Sequence, residues 1–162
     1  MKQKIEVTSQ TEFEACVAAG NTPLVTKGEF EAWGNATVEA RGDATVHASG
    51  YATVYAWDNA TVYAWDNASV HASANASVHA SANATVHASA NATVEAWDDA
   101  TVDARDNATV DARDSVFIRL YGALHITATP TVIIAMHGTA QSIDGGRQIP
   151  IAPTPETGAE CG

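Results

Sequence analysis

Four histidines recur in one local context along the middle of the chain, since His47, His71, His79 and His87 each precede Ala-Ser. Imidazole groups can bind metal ions or change charge near neutral pH. A tetrahedral metal site needs converging ligands, whereas evenly spaced residues project from one surface, and no cysteine or carboxylate completes the set. We therefore interpret these histidines as polar surface residues, and the sequence predicts no metal site and no cofactor.

Aromatic residues of two consecutive segments could form a binding surface. Tyr55 and Trp57 are followed eight residues later by Tyr63 and Trp65. Exposed aromatic side chains mark sugar- or protein-binding surfaces, but rings on adjacent strands also stabilise a thin fold by covering it. We favour the structural interpretation, because Trp57 and Trp65 would lie on opposite faces and would not form one patch.

The remaining composition argues against an enzyme. We find no Gly-rich phosphate loop and no catalytic triad or carboxylate pair in a concave context. The net charge is −11, with 8 basic and 19 acidic residues, which argues against direct binding of nucleic acid. The sequence shows no membrane span and no secretory leader. It predicts a non-catalytic protein of a reducing cytoplasm, with two free thiols at Cys16 and Cys161.

An eight-residue repeat positions these side chains and runs ten times from Asn35 to Asp114. Counted from Asn35 as position 1, positions 2 and 6 are Ala and position 4 is Val in all ten copies. Apolar residues at every second position predict a β-strand with one buried face and exclude a helix. Positions 8 and 1 are mostly turn residues, so each octad predicts a strand of about six residues and a tight corner.

Near-identical octads favour an all-β fold, a parallel β-solenoid in which each strand stacks on its equivalent in the next coil. The inward Ala and Val side chains are small, so they fill only a thin interior without voids. Two strands per coil, or 16 residues, satisfy this requirement, and a squarer coil with bends inside each octad is the alternative. Residues 16 apart would then stack at about 4.8 Å per coil.

The two ends of the chain predict caps. Ser9 or Thr11 can begin a helix and Gly20 can end it, while Phe30 occupies the Val position of an imperfect octad. Larger inward residues after Asp114 predict a wider cross-section. The predicted units are an N-terminal cap over 1–26 with a helix at about 10–19, the octad solenoid over 27–114, a C-terminal cap over 115–138, and an extended proline-rich tail over 139–162.

Three large side chains occupy outward positions of the C-terminal cap, namely Phe117, Tyr121 and Ile133. They fall on one face if each coil has two strands. Apolar patches of this kind are usually covered. We predict that this candidate interaction surface is buried, either under residues 149–151 of the tail or in a homodimer formed through the C-terminal coils, and we leave both open.

The octad xATVxAxx resembles that of uncharacterised octapeptide-repeat proteins of actinobacteria and their phages. In those proteins a short N-terminal helix precedes repeats such as ATVEAWD, and a less regular β-rich segment follows. The likeness extends from Thr11 to about Gly146. The resemblance implies a solenoid in the cytoplasm of a bacterial or phage-infected cell, with virion association left open, and it brings no activity with it. Acidic pentapeptide-repeat solenoids that imitate DNA are a looser analogy.

The sequence therefore favours a non-catalytic β-solenoid scaffold that binds a protein partner of unknown identity. One alternative is an acidic DNA mimic that inhibits a DNA-binding enzyme, although its acidic columns would also contain Arg and His. Another is a ligand- or ice-binding solenoid. Ice binding needs a flat, uncharged face with two threonines per strand, whereas each octad offers one Thr or Ser beside charged and aromatic residues.

Overall fold

A computed structural model describes residues 3–121, 125–137 and 142–150 of the 162-residue chain. The described residues form a parallel β-solenoid of about eight coils, with about 16 residues per coil and a short N-terminal helix, which confirms the predicted fold class. The elements are β1 (Lys4–Glu6), α1 (Gln10–Ala18), β2 (Thr22–Ala32), β3 (Thr37–Ala48), β4 (Thr53–Ala56), β5 (Thr61–Ala64), β6 (Ser69–Ala72), β7 (Ser77–Ala80), β8 (Thr85–Ala88), β9 (Thr93–Ala96), β10 (Thr101–Arg105), β11 (Thr109–Ala112), β12 (Phe117–Tyr121), β13 (His125–His137) and β14 (Ser142–Pro150).

Alternate octads stack on one another, so the strands form two parallel sheets. Sheet I comprises β1, the first halves of β2 and β3, then β4, β6, β8, β10, β12 and the second halves of β13 and β14. Sheet II comprises the second halves of β2 and β3, then β5, β7, β9, β11 and the first halves of β13 and β14. The register is 16 residues in the repeats, so Val54 pairs with Val70 and Val70 with Val86.

The interior of the solenoid consists of the residues at positions 2, 4 and 6. Val70 and Val78 are 0% and 1% exposed, and the Ala residues beside them are equally buried. Burial of one Val side chain stabilises the fold by about 1.5–3 kcal/mol, and every octad repeats that gain. The C-terminal coils bury the larger Ile118, Leu120 and Ile134, as predicted, while Leu124 lies outside the described residues.

The repeat strands are shorter than the six residues predicted, because most of them cover only positions 3 to 6. The corner is closed by a hydrogen bond from the position 2 N–H to the position 7 carbonyl, as from Ala60 to Trp57 at 3.1 Å. Position 8 has a left-handed backbone, with φ between 54° and 66°, in every octad from Gly34 to Asp114. This includes three alanines, at which the conformation costs about 1–2 kcal/mol.

Aspartates at position 8 link successive coils at these corners. Asp58 and Asp66 accept a hydrogen bond from the backbone N–H of position 8 one coil earlier, at 3.3 and 3.2 Å. Asp98 and Asp106 do the same at 3.1 Å. Backbone groups need partners at such a corner, because strand pairing does not extend around it. Part of the acidity of the chain therefore has a structural role.

Helix α1 lies at the N-terminal end of the solenoid and begins as predicted at Ser9. The Ser9 hydroxyl accepts from the Glu12 N–H at 3.3 Å, and the Glu12 carboxylate accepts from the Thr8 N–H at 2.8 Å. This arrangement differs from a capping box only in that the carboxylate bonds Thr8, the residue before the N-cap, and the hydrogen bonds from Thr8 lower the pKa of Glu12. Phe13 of the helix packs on Phe30, with ring centroids 5.8 Å apart.

The helix also covers the open edge of sheet II. The Gln10 side-chain amide donates to the Glu31 carbonyl at 3.1 Å and accepts from the Glu31 N–H at 3.0 Å. The amide thus bonds the edge of β2 as a neighbouring strand would, while β1 pairs with β2 on sheet I. Both edges of the first coil are covered, as an exposed parallel sheet edge requires.

The C-terminal segment differs from the free tail that the sequence predicts. Ser142–Pro150 forms β14, which pairs in parallel with β13 and adds a further coil. The register shifts between Ala128 and Ile133, and Gly145 beside it has a φ of 84°. A β-carbon at Gly145 would overlap the Ala128 carbonyl oxygen, so glycine is required there. Backbone pairing continues where the side-chain period ends, and residues 151–162 of the predicted tail lie outside the described residues.

Candidate functional site

The side chains that could bind or react project from positions 5 and 7 on the outer face of each sheet. Ladder hydrogen bonds hold both positions in register, as from the Trp57 N–H to the Ala40 carbonyl at 3.0 Å. Sheet I carries Glu39, Tyr55, His71, His87, Asp103 and Arg119 at position 5, and Arg41, Trp57, Ser73, Ser89, Arg105 and Tyr121 at position 7; sheet II carries Glu31, His47, Tyr63, His79, Glu95 and Asp111 at position 5, and Trp33, Ser49, Trp65, Ser81, Trp97 and Arg113 at position 7.

The position 5 column of sheet I contains a ladder of stacked rings. Tyr55 stacks on His71 and His71 on His87, each with ring centroids 4.8 Å apart and nearly parallel planes. These histidines lie on the outer face of the sheet, as the sequence predicts, but their rings are half-buried against one another, which their spacing alone did not indicate. Burial, helped by the charge of neighbouring His87, lowers the pKa of His71 below its ordinary value of 6.5.

Sheet II has a second ladder with a different order. His47 stacks on Tyr63 at 5.0 Å, and Tyr63 stacks on His79 at 4.7 Å. Carboxylates flank both ends, since Glu29 lies 2.7 Å from His47 and Glu95 lies 3.3 Å from His79. Here a tyrosine separates the two imidazoles, whereas on sheet I the imidazoles touch.

Groups away from these two faces offer less chemistry. Cys16 is a free thiol on the buried face of α1, and burial raises its pKa, while Cys161 lies outside the described residues. Within residues 3–121, 125–137 and 142–150, no cluster of three or more His, Cys, Asp or Glu side chains is arranged to hold a metal ion. The same residues include no helix long and apolar enough to cross a membrane.

A polar groove of about 310 Å³ lies on sheet I between Trp57 and Arg105. Its floor is Ser73 and Ser89, because two consecutive coils have a small residue at position 7, and His71 and His87 line its side. The Arg41 guanidinium covers one face of Trp57 at 5.0 Å. The other face of the indole is turned toward the groove.

A serine, a histidine and an aspartate meet at the far end of this groove, although the sequence did not suggest it. His87 Nδ1 lies 3.3 Å from Asp103 Oδ2, and Arg119 Nε lies 2.7 Å from Asp103 Oδ1 as an ion pair without hydrogen-bond alignment. Catalysis by such a group needs the hydroxyl bonded to the imidazole. The Ser89 hydroxyl instead donates to the Ala72 carbonyl at 3.4 Å.

A smaller hollow of about 230 Å³ lies on sheet II between Trp33 and Trp65, with Ser49 between them. Trp33 is 50% exposed and Trp65 is 36% exposed. Glu29, Glu31 and His47 complete its lining. The alternation continues along the column, because Ser81 separates Trp65 from Trp97, and the Trp97 ring lies parallel to that of His79 at 6.1 Å.

The four aromatic residues singled out from the sequence divide between the two sheets. Tyr55 and Trp57 lie on sheet I, while Tyr63 and Trp65 lie on sheet II, so they do not form one patch. Sequence reasoning missed Trp33 as a member of the aromatic column. Its signal was the imperfect octad Lys27–Gly34, in which Trp33 occupies position 7 and aligns with Ser49.

The C-terminal patch lies on one face of sheet I, where Phe117 pairs with Ile133. Two of its three residues are covered by arginines, since the Arg119 guanidinium lies 5.8 Å from the Phe117 ring and that of Arg105 lies 4.9 Å from the Tyr121 ring. Ile133 remains 38% exposed. The sequence did not suggest this cover, and the homodimer through these coils stays a prediction.

The outer faces therefore present two separate recesses, a polar groove on sheet I and an acidic aromatic hollow on sheet II. Comparison with known proteins finds no family model, no curated protein and no solved structure that matches the chain. The resemblance to octapeptide-repeat proteins of actinobacteria and their phages thus stays a prediction.

Proposed function

We propose that the chain is a non-catalytic interaction scaffold and that sheet II binds a basic segment of a partner protein. The observation that carries the proposal is the stepped column of Trp33, Ser49, Trp65, Ser81 and Trp97. Each serine leaves a gap between two indoles that are two coils apart, about 10 Å at the usual spacing of parallel strands. The gaps over Ser49 and Ser81 are slots that a single side chain can enter.

The charge beside the first slot favours a cation. Glu29 and Glu31 line the hollow between Trp33 and Trp65. Glu29 is paired with His47, whereas the Glu31 carboxylate makes no ion pair or side-chain hydrogen bond with any residue in the described ranges. Lys and especially Arg bind over indole faces, by about 0.5–2 kcal/mol for each contact, and a nearby carboxylate adds to the attraction.

The spacing of the slots favours an extended polypeptide as the partner. The serines at the base of the two slots are two coils apart, about 10 Å. Three residues of a polyproline II segment span about the same distance, roughly 9 Å, and side chains three residues apart lie on one side of that extended helix. A segment lying along the solenoid axis with Arg at every third residue would place one guanidinium in each slot. The net charge of −11 also attracts such a segment from a distance.

The geometry of the outer faces of sheets I and II supports the proposal of a non-catalytic role. Outward side chains of a sheet diverge, whereas an active site needs converging groups in a recess that excludes water. The serine, histidine and aspartate of sheet I share a groove, but the Ser89 hydroxyl bonds a backbone carbonyl. Four corner aspartates are engaged by backbone N–H groups, so this part of the acidity supports the fold and does not need a DNA mimic to explain it.

The test is fluorescence anisotropy with two labelled peptides of equal charge. One repeats Arg-Gly-Ser three times, and the other contains the same residues with the three arginines adjacent. We expect the spaced peptide to bind about tenfold more tightly, a difference of about 1.4 kcal/mol that one added cation–π contact can supply. Equal affinity for the two peptides would mean that only the net charge of the protein is recognised, and the proposal would be wrong.

Matched variants locate the binding surface. Trp65→Ala removes the wall that both slots share and should abolish the preference for the spaced peptide. Trp57→Ala changes the equivalent residue of the preceding octad, on sheet I, and should leave the preference unchanged. Glu31→Gln should weaken binding more than Asp99→Asn, which removes the same charge from an exposed corner.

A further inference from the structure

The groove on sheet I differs in chemistry from the slots of sheet II. Its two ends are Trp57 and Arg105, three coils apart, which is about 14 Å at the parallel strand spacing. Ser73 and Ser89 lie between them because two consecutive coils carry serine at position 7. The gap is thus one coil longer than a slot of sheet II, and it ends on a cation rather than on a second indole.

Trp57 presents a flat apolar face to this groove. Its ring is nearly parallel to that of Tyr55, with an interplanar angle of 14°, and Tyr55 is itself parallel to His71. The plane of the indole is therefore roughly perpendicular to the solenoid axis, with Arg41 on one face and the groove on the other. Sugar rings pack their C–H face on indoles in this way, because the contact buries apolar surface and leaves the hydroxyls free.

The side and floor of the groove offer hydrogen bonds suited to hydroxyl groups. The Ser73 hydroxyl and the His71 imidazole can donate or accept, while the Ser89 hydroxyl, which donates to the Ala72 carbonyl, can accept from a ligand. Burial holds His71 in its neutral form near pH 7, since its pKa is lowered, so it acts there as a hydrogen-bonding group rather than as a charge. A ligand that is rich in hydroxyls fits this lining better than a flat base would.

Arg105 gives the groove its charge preference. Its guanidinium lies on the Tyr121 ring at 4.9 Å and forms no ion pair with any carboxylate in the described part of the chain. The carboxylate nearby, Asp103, is 7% exposed and already faces Arg119 and His87. Arg105 is therefore the cation available to a ligand, and guanidinium groups bind carboxylate and phosphate through paired N–H groups.

We propose that this groove binds a sugar ring that carries an anionic group, with the ring stacked on Trp57 and the carboxylate or phosphate at Arg105. A ring stacked on Trp57 stays close to the indole while the two ends are about 14 Å apart, so the long Arg105 side chain must turn from Tyr121 into the groove to reach the charged substituent. The site shares no residue with the slots of sheet II. The two proposals can therefore be tested separately, since the protein could bind a basic peptide without binding an acidic sugar, or an acidic sugar without binding a basic peptide.

Isothermal titration calorimetry with four probes tests the proposal. The probes are glucuronate, glucose 6-phosphate, glucose and inorganic phosphate. We expect one or both acidic sugars to bind at least about tenfold more tightly than glucose and than inorganic phosphate, because only they reach both ends of the groove. The two acidic probes distinguish a carboxylate from a phosphate ligand. No binding of either acidic sugar, or equal binding of inorganic phosphate alone, overturns the proposal.

Each variant in the groove has a control variant at the equivalent position of sheet II. Arg105→Gln should lower the affinity for the acidic sugar about tenfold, while Arg113→Gln, at the equivalent position of sheet II, should leave it unchanged. Trp57→Ala should abolish binding, Trp57→Tyr should retain most of it, and Trp65→Ala should have no effect. If Arg113→Gln or Trp65→Ala weakens binding as much as its sheet I counterpart, the ligand is not in this groove.

Discussion

In the octads between Asn35 and Asp114, sheets I and II bury the same residue types at positions 2, 4 and 6, but their outer faces differ in charge and in shape. At positions 5 and 7 of the described octads between Lys27 and Tyr121, sheet I has three arginines and two carboxylates, whereas sheet II has three carboxylates and one arginine. The position 7 column has two adjacent serines on sheet I and alternates Trp with Ser on sheet II. The charged residues are Arg41, Arg105, Arg119, Glu39 and Asp103 on sheet I, and Glu31, Glu95, Asp111 and Arg113 on sheet II.

This difference arises from how the coils stack. Each residue lies next to the residues 16 positions before and after it, so its neighbours on the same sheet come from every second octad. The octads 51–58 and 59–66 are nearly identical in sequence. Trp57 nevertheless has Ser73 on one side and Arg41 on the other, whereas Trp65 has Ser49 and Ser81. The same octad therefore contributes to a groove on one sheet and to a pair of slots on the other.

The first prediction tests whether equivalent buried positions of the two sheets contribute equally to stability. Val70→Asp on sheet I and Val78→Asp on sheet II each bury an unpaired carboxylate in a thin layer of Ala and Val. Each should lower the free energy of unfolding by several kcal/mol, on the order of 3–5. Urea unfolding followed by circular dichroism measures both losses. The two losses should agree within about 1 kcal/mol, since the sites share the same packing.

The matched control places the same charge outside. Ser77→Asp lies next to Val78 but points outward, so it should change the free energy of unfolding by less than about 1 kcal/mol. A loss as large as that of Val78→Asp would show that position 3 is not on the outer face. A large difference between Val70→Asp and Val78→Asp would show that the two sheets do not share one interior.

The second prediction concerns two arginine–aspartate ion pairs, of which the one on sheet I has a buried carboxylate and the one on sheet II an exposed carboxylate. The Asp103 side chain is 10% exposed and lies 2.7 Å from Arg119, whereas the Asp111 side chain is 39% exposed and lies 3.2 Å from Arg113. Arg119→Gln leaves a buried carboxylate with only His87 beside it, and should cost about 1–3 kcal/mol. Arg113→Gln should cost less than about 1 kcal/mol, because water screens an exposed pair.

Both costs can be read from the same urea unfolding curves, and salt separates the two cases further. Sodium chloride should reduce the small effect of Arg113→Gln toward zero, while the effect of Arg119→Gln should persist, because salt screens buried charges less. Equal losses from the two variants would contradict the difference in burial on which the comparison rests.

Most of the fold could be predicted from the sequence because the repeat leaves few alternatives. Ala and Val at every second position determine which face is buried, and the 16-residue coil follows from how little space these side chains fill. The strand length was less predictable. The left-handed residue is always position 8, including Ala74, Ala82 and Ala90, although no residue preference favours alanine there.

The candidate sites were only partly predictable, for a different physical reason. The columns follow from the period, but the contacts across them depend on ring orientation and on the reach of long side chains. The stacking of Tyr55 on His71 and the cover of Phe117 by Arg119 could not be derived from spacing alone. Strand β14 was missed because backbone pairing with β13 needs no side-chain repeat.

The last prediction concerns the imidazole pair that only sheet I contains. The pKa of His71 is lowered by burial and by His87, so near pH 6.5 the unfolded chain binds a proton more readily than the folded chain does. The free energy of unfolding therefore falls as the pH drops below 6.5, until His71 is protonated in the folded state as well. His71→Gln removes this term, so the variant should lose less stability than the wild type on acidification.

His79→Gln controls for the loss of a stacked ring, because His79 lies between Tyr63 and Glu95 on sheet II and has no adjacent imidazole. At about pH 8, where unperturbed histidines are neutral, both variants should be destabilised by similar small amounts, under about 1 kcal/mol. Chemical unfolding at a series of pH values then gives the comparison. If the free energy of unfolding of His71→Gln falls with pH in parallel with that of the wild type, His71 does not contribute to the pH dependence of stability and the prediction is wrong.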